Sequence, residues 1–87
     1  MSDEELLSFP CRIDIKVIGH RTEHLREAVV TIVGRHCGAV DDAAVSERLS
    51  SAGKYLSLTV TVIAETREQI DAVYRELTAS DHVLMAL

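Results

Sequence analysis

Few residues in this chain can do chemistry, and their spacing argues against most of it. His20 and His24 stand four apart, the interval at which two imidazoles on one helix face share a metal ion. No third ligand lies near them in sequence, and His20 precedes the helix that would align the pair, so they are read as solvated surface and no metal is expected. His36 and Cys37 set a base beside a thiol, the start of a cysteine nucleophile. They fall at the C-terminal end of a helical pattern, where the dipole disfavours a thiolate. Cys11 and Cys37 belong to no C-x-x-C pattern, which leaves two inert thiols of a reducing compartment. Asp41 and Asp42 are adjacent carboxylates, but paired acid–base work needs two carboxyls facing one site, and neighbours in a loop point apart. Asp14 and Lys16 share one strand face, where an exposed ion pair contributes little. No catalytic residue is assigned, no cofactor is implied, and the chain is not expected to be an enzyme.

Two short stretches have binding rather than reactive chemistry. Gly53, Lys54 and Tyr55 place a turn glycine, a mobile cation and one of three aromatic residues side by side, a candidate surface for a protein partner. Their plain alternative is that Gly53 only makes the turn and Tyr55 only caps the sheet. Gly19 and His20 follow the first strand and form a candidate small-ligand loop.

The elements that must position these residues follow from periodicity. Residues 1–9 are a short acidic lead in which Leu6 and Leu7 could drop onto the core edge from a single turn. It ends at Phe9-Pro10, where helix is disfavoured. Cys11–Ile18 alternates as a strand and Gly19 is expected to stop it. Thr22 is a good N-cap, and Leu25, Ala28, Val29, Ile32 and Val33 then recur at helical spacing, giving a helix over 23–36 with Gly38 as its C-cap glycine. Ala39–Ala43 is a loop. Ala44–Leu49 is a short edge strand whose Glu47 and Arg48 deter pairing. Ser50–Lys54 turns the chain, too long for a two-residue hairpin.

The central strand follows. Leu56, Leu58, Val60 and Val62 fall on one face, and Tyr55, Ser57, Thr59, Thr61 and Ile63 on the other. A strand with one apolar and one hydroxyl face sits in a sheet covered on one side only. Thr66 and Gln69 form a capping box for a helix over 67–78, with Ile70, Val73, Tyr74 and Leu77 inward and Asp71–Arg75 as an i, i+4 pair. His82–Leu87 alternates again, with Val83, Met85 and Leu87 on one side.

Strand, helix, strand, strand, helix, strand is the split βαβ, or ferredoxin-like, arrangement: an α+β two-layer sandwich with two helices on one face of a four-stranded antiparallel sheet. Right-handed crossovers put the first and third strands in the middle. At 87 residues there is room for one domain, 1–87, which buries only about 60–65% of its unfolded surface. With three aromatics and no Trp, the core must be aliphatic. The net charge of −5 disfavours nucleic acid and anionic membranes as partners. An acidic N-terminus and short apolar runs point to a cytoplasmic protein. A second copy of the chain is a candidate partner, since the molecule is small, has edge strands, and carries an uncharged patch at Val30–Gly34.

Three functions of this fold fail on missing residues. RNA-recognition motifs need aromatics on both central strands, and here Tyr55 alone could stack. Metallochaperones need C-x-x-C after the first strand, where this chain has Val17-Ile18-Gly19-His20. Acylphosphatases pair an Arg after the first strand with an Asn on the third; Arg21 fits, but the chain has no Asn.

Phe9-Pro10, Lys16-Val17 with Gly19, Arg35-His36, Ser50-Ser51 with Gly53, Tyr55 and Ser57, Thr59 through Thr61, Glu68-Gln69, Tyr74 with Glu76-Leu77, and Asp81, Val83, Met85 and Leu87 together resemble the YbeD-like family of small bacterial proteins. The resemblance covers essentially the whole chain. It departs at Ala52, where the family often has Lys before the glycine; Lys54 is the nearby cation. It implies a ferredoxin-like fold related to ACT regulatory domains, which sense amino acids, and a genomic association with lipoate-attachment genes. It implies no catalytic residues. The function expected is a non-catalytic regulatory or protein-interaction module, with amino-acid sensing as the alternative.

The facing of the central strand is testable. Leu58→Ala is expected to destabilise by about 2–4 kcal/mol, and Thr59→Ala to change stability little. Denaturant midpoints with Thr59→Ala as the more damaging change would shift the facing by one residue.

Overall fold

The computed structural model describes residues 8–87, so the expected turn at Leu6 and Leu7 lies outside the described residues. The elements are β1 (Cys11–His20), α1 (Glu23–Cys37), a 3₁₀ turn at Asp42–Ala44, β2 (Val45–Leu49), β3 (Tyr55–Ala64), α2 (Arg67–Ala79) and β4 (Val83–Ala86). The strands form one antiparallel sheet in the order β2-β3-β1-β4, with β1 and β3 central as the crossover rule requires. Both helices pack on one face, completing the ferredoxin-like α+β sandwich. No helix among the described residues is long and apolar enough to cross a membrane.

β1 and β3 pair along their whole length, from Cys11 opposite Ala64 to His20 opposite Tyr55. Residues directly opposite share a face, so Ile15 with Val60 and Val17 with Leu58 point together at the helices. All four are fully buried, and Leu25, Val29, Val33, Val73 and Leu77 close over them. The core is aliphatic, as the composition demands. On the other face Asp14 does not pair with Lys16; its carboxylate accepts a 2.7 Å hydrogen bond from Thr61, its cross-strand neighbour.

Gly19 does not stop β1. The strand runs on to His20, and Gly19 is buried inside it. A Cβ there would lie 2.4 Å from the His82 carbonyl oxygen and 2.7 Å from a Leu25 methyl. The glycine is needed because α1 and the start of β4 both press against this point. The same spot carries a β-bulge: Ile18 faces Met85 but Gly19 faces Val83, leaving Leu84 as an extra residue on β4. The bulge breaks the simple alternation expected of β4. Val83 and Ala86 pack on the core, while Leu84, Met85 and Leu87 are 52%, 51% and 59% exposed.

The helix ends differ from one another. Thr66 accepts from the Gln69 N–H at 3.2 Å and the Gln69 side chain accepts from the Thr66 N–H at 3.3 Å, the expected capping box. Thr22 occupies the N-cap of α1 but makes no side-chain capping bond. Gly38 ends α1 with φ +90°, and its N–H donates to the Gly34 carbonyl at 3.1 Å. On α2, Asp71 pairs with Arg67 at 3.5 Å rather than with Arg75. Side chains lean toward a helix's N-terminus, which brings the short Asp71 carboxylate to Arg67. Val30 and Gly34 of the expected uncharged patch are half-buried.

One clasp joins the helices. Arg35 and His36 of α1 both engage the Glu76 carboxylate of α2. The hydrogen bond from His36, with the nearby Arg35 charge, holds the Glu76 carboxyl below the ordinary carboxylate range.

Two outcomes follow from these contacts. Gly19→Ala is expected to cost about 1–3 kcal/mol by overpacking; an unchanged urea midpoint would show that Leu25 and β4 yield freely. Glu76 has a lower pKa folded than unfolded, so its stabilisation is present above the ordinary carboxylate range, about 4, and is lost as pH falls through the lowered folded value. Glu76→Gln is therefore expected to flatten the acid limb of a melting-temperature profile, and an identical limb in both proteins would remove the clasp from the stability account.

Candidate functional site

The two stretches picked out separately in the sequence come together at one end of the sheet. The β1–β3 register sets His20 opposite Tyr55. Their rings lie 5.7 Å apart, tilted by 33°. The Arg21 N–H donates to the Lys54 carbonyl at 3.1 Å, tying the loop after β1 to the β2–β3 hairpin. Ser50 builds that hairpin from both sides. Its N–H donates to the Tyr55 carbonyl at 2.9 Å, its carbonyl accepts from the Gly53 N–H at 2.9 Å, and its hydroxyl accepts from the Tyr55 N–H at 3.2 Å. Gly53 has φ +71°, a conformation that side chains disfavour, so the turn itself requires it. Lys54 and Tyr55 are exposed, Tyr55 by 43%. Tyr74, by contrast, spends its hydroxyl on the Leu87 carbonyl at 2.7 Å, and burial raises its pKa.

Gly19 and His20 divide their roles. The inward side of Gly19 is filled by Leu25 and the His82 carbonyl. His20 is exposed and presents its ring to the open face beside Tyr55.

The reactive candidates stay apart. His20 lies against Tyr55, whereas the His24 ring is 6.0 Å from that of His82. Among the described residues no three His, Cys, Asp or Glu side chains gather to hold a metal. His36 is engaged by Glu76, and burial pushes the half-buried Cys37 thiol up, away from the thiolate. Asp42 lies 3.4 Å from Arg26, whose guanidinium also donates to Glu47 at 2.6 Å; Asp41 takes no part in that pair.

A further feature was not singled out in the sequence. On the open face a depression of about 590 Å³ is lined by Lys16, Ile18, Arg48, Ser50, Tyr55 and Ser57. Arg48 stands opposite Ser57, and Lys16 opposite Thr59 on the other side of β3. Alternation places each of these residues on its own strand face. Seeing them as one surface also needs the β2–β3 register, which a five-residue turn leaves open.

The family model described as a protein of unknown function, DUF493, matches residues 4–87. A UPF0250 protein of Paraburkholderia phytofirmans is 42% identical over 85 residues, covering 98% of this chain and 96% of its own. One from Chromobacterium violaceum is 39% identical over 89 residues, covering 100% of both. The solution structure of protein HP0495 from H. pylori superposes with a TM-score of 0.70 at 18% identity, over 93% of this chain and 85% of that one, and shares the fold. Matched over nearly its whole length by the family model and by these relatives, the chain belongs to the DUF493 family of UPF0250, YbeD-like bacterial proteins.

Proposed function

We propose that the chain is a non-catalytic regulatory or protein-interaction module of the cytoplasm that docks a protein partner at the hairpin end of its sheet. The observation that carries this reading is the pairing of two exposed rings, Tyr55 and His20, on the uncovered sheet face. A chain with three aromatics that leaves Tyr55 43% exposed forgoes core burial there. A tyrosine so placed anchors an interface, because its ring buries area while its hydroxyl keeps a hydrogen bond. Lys54 supplies a rim charge that steers encounter, and Gly53 holds the turn that presents both.

The alternative is amino-acid sensing near Gly19 and His20. It draws on the exposed His20 ring at the end of β1, beside the turn that Gly53 makes.

Lys54→Ala and Tyr55→Ala are expected to keep the wild-type melting transition and to lose a partner that the wild-type protein recovers from cell extract. Recovery of the same partners by both variants would move the site elsewhere. A thermal-shift screen separates the alternative: an amino acid at a hundredfold excess over its Kd stabilises by about 2.7 kcal/mol. Such a shift, with no partner recovered, would favour sensing.

A further inference from the structure

We infer that the open sheet face beside the hairpin docks an acidic segment of a partner protein, gripped by Lys16 and Arg48, with Lys54 at the hairpin. This rests on the protein-interaction reading and names the partner's chemistry. The chain has nine Lys and Arg against fourteen Asp and Glu. Among the described residues, the arginines held in ion pairs are Arg26, Arg35 and Arg67. Lys16, Arg48 and Lys54 are in no such pair among the described residues, and Lys16 and Arg48 line the depression on the open face. Lys16 and Arg48 flank β3 across Thr59 and Ser57. Arg21, which lines a neighbouring depression with Glu23 and Glu47, ties the loop after β1 to Lys54 through its backbone.

Among the described residues no carboxylate lines the depression. Asp14, on the same face, accepts from Thr61, and Glu47 is held by Arg26 from α1. Two cations over a depression that no carboxylate lines focus a positive field on an acidic molecule. Its shape selects the occupant. The depression is an open trough along the sheet face, whereas small-molecule sites bury most of their ligand. Leu49 and Tyr55, 49% and 43% exposed, interleave the cations with apolar surface. Carboxylates alternating with apolar side chains on an extended segment complement that pattern. Nucleic acid does not, because the net charge of −5 opposes a continuous phosphate backbone.

The test is an amide NMR titration of the full chain with three probes: a synthetic peptide alternating Glu and Leu, the same peptide with Lys in place of Glu, and inorganic pyrophosphate. The Glu peptide is expected to shift Lys16, Arg48, Ser50, Tyr55 and Ser57 and to bind more weakly as salt rises. Lys16→Glu with Arg48→Glu should weaken it by on the order of tenfold, while Arg75→Glu on exposed α2 should not. Spectra of the double variant that match wild type away from the patch establish that it is folded. No shifts, equal shifts with the Lys peptide, or equal loss in Arg75→Glu would overturn the inference. Pyrophosphate shifting the same residues at lower concentration than the Glu peptide would overturn it in favour of a small anion. If the Glu peptide fails while Tyr55→Ala still strips a partner, the interaction reading stands and the acidic chemistry falls.

Discussion

The unbroken pairing of β1 with β3 is the constraint on which the rest of this molecule depends. Each strand contributes ten residues, and every residue of one faces a residue of the other. Because side chains alternate, this one register decides both surfaces of the sheet. It sends Ile15, Val17, Leu58 and Val60 under the helices and leaves Lys16, Ser57 and Thr59 on the open face. A slip of one residue would exchange the two sets and bury a lysine and an aspartate where the core now lies. The register also aligns the strand ends, and that alignment brings His20 to Tyr55. Core and candidate site are thus two consequences of one pairing.

Where α1 leaves the sheet, a second constraint is layered on the first. Leu25 can cover the core only if it sits against a strand position without a Cβ, and Gly19 supplies that position. β4 meets β1 at the same point and absorbs the close approach as a bulge. The extra residue turns Met85 and Leu87 outward beside Leu84. An edge strand whose Leu84 and Met85 are exposed, with no charge in its span, contrasts with β2, whose Glu47 and Arg48 guard the opposite edge. The tight packing of one leucine therefore determines which edge of the sheet is apolar.

Much of this was legible in the sequence because periodicity reports facing directly. The hydroxyl-and-apolar alternation of β3, the spacing of Leu25, Val29, Ile32 and Val33, and the Thr66–Gln69 box each stand in the structure where the pattern puts them. What was not legible depends on contacts between elements. Gly19 looks like a strand terminator until Leu25 and His82 are seen against it. The facing of β4 depends on a bulge that no residue type announces. Thr22 has the right chemistry for a cap and does not use it. The convergence of Gly53, Lys54 and Tyr55 with His20 needs the cross-strand register, and the cation cluster needs it twice, once on each side of β3.

The distribution of charge supports a functional rather than a structural reading of the open face. On the helical side several ion pairs form: Glu76 takes Arg35 and His36, Arg26 takes Glu47 and Asp42, and Arg67 takes Asp71. Exposed pairs of this kind contribute little each, typically about 0–1 kcal/mol. On the open face Lys16 and Arg48 form no ion pair among the described residues and stand over hydroxyl-bearing neighbours, and Tyr55 at the end of β3 is exposed to water. A domain of 87 residues has little stability to spare, so unmatched cations and an exposed ring are poorly explained by folding. They are well explained if the third layer that the sheet lacks is supplied by another molecule, whose charge and apolar surface complement what the open face leaves exposed.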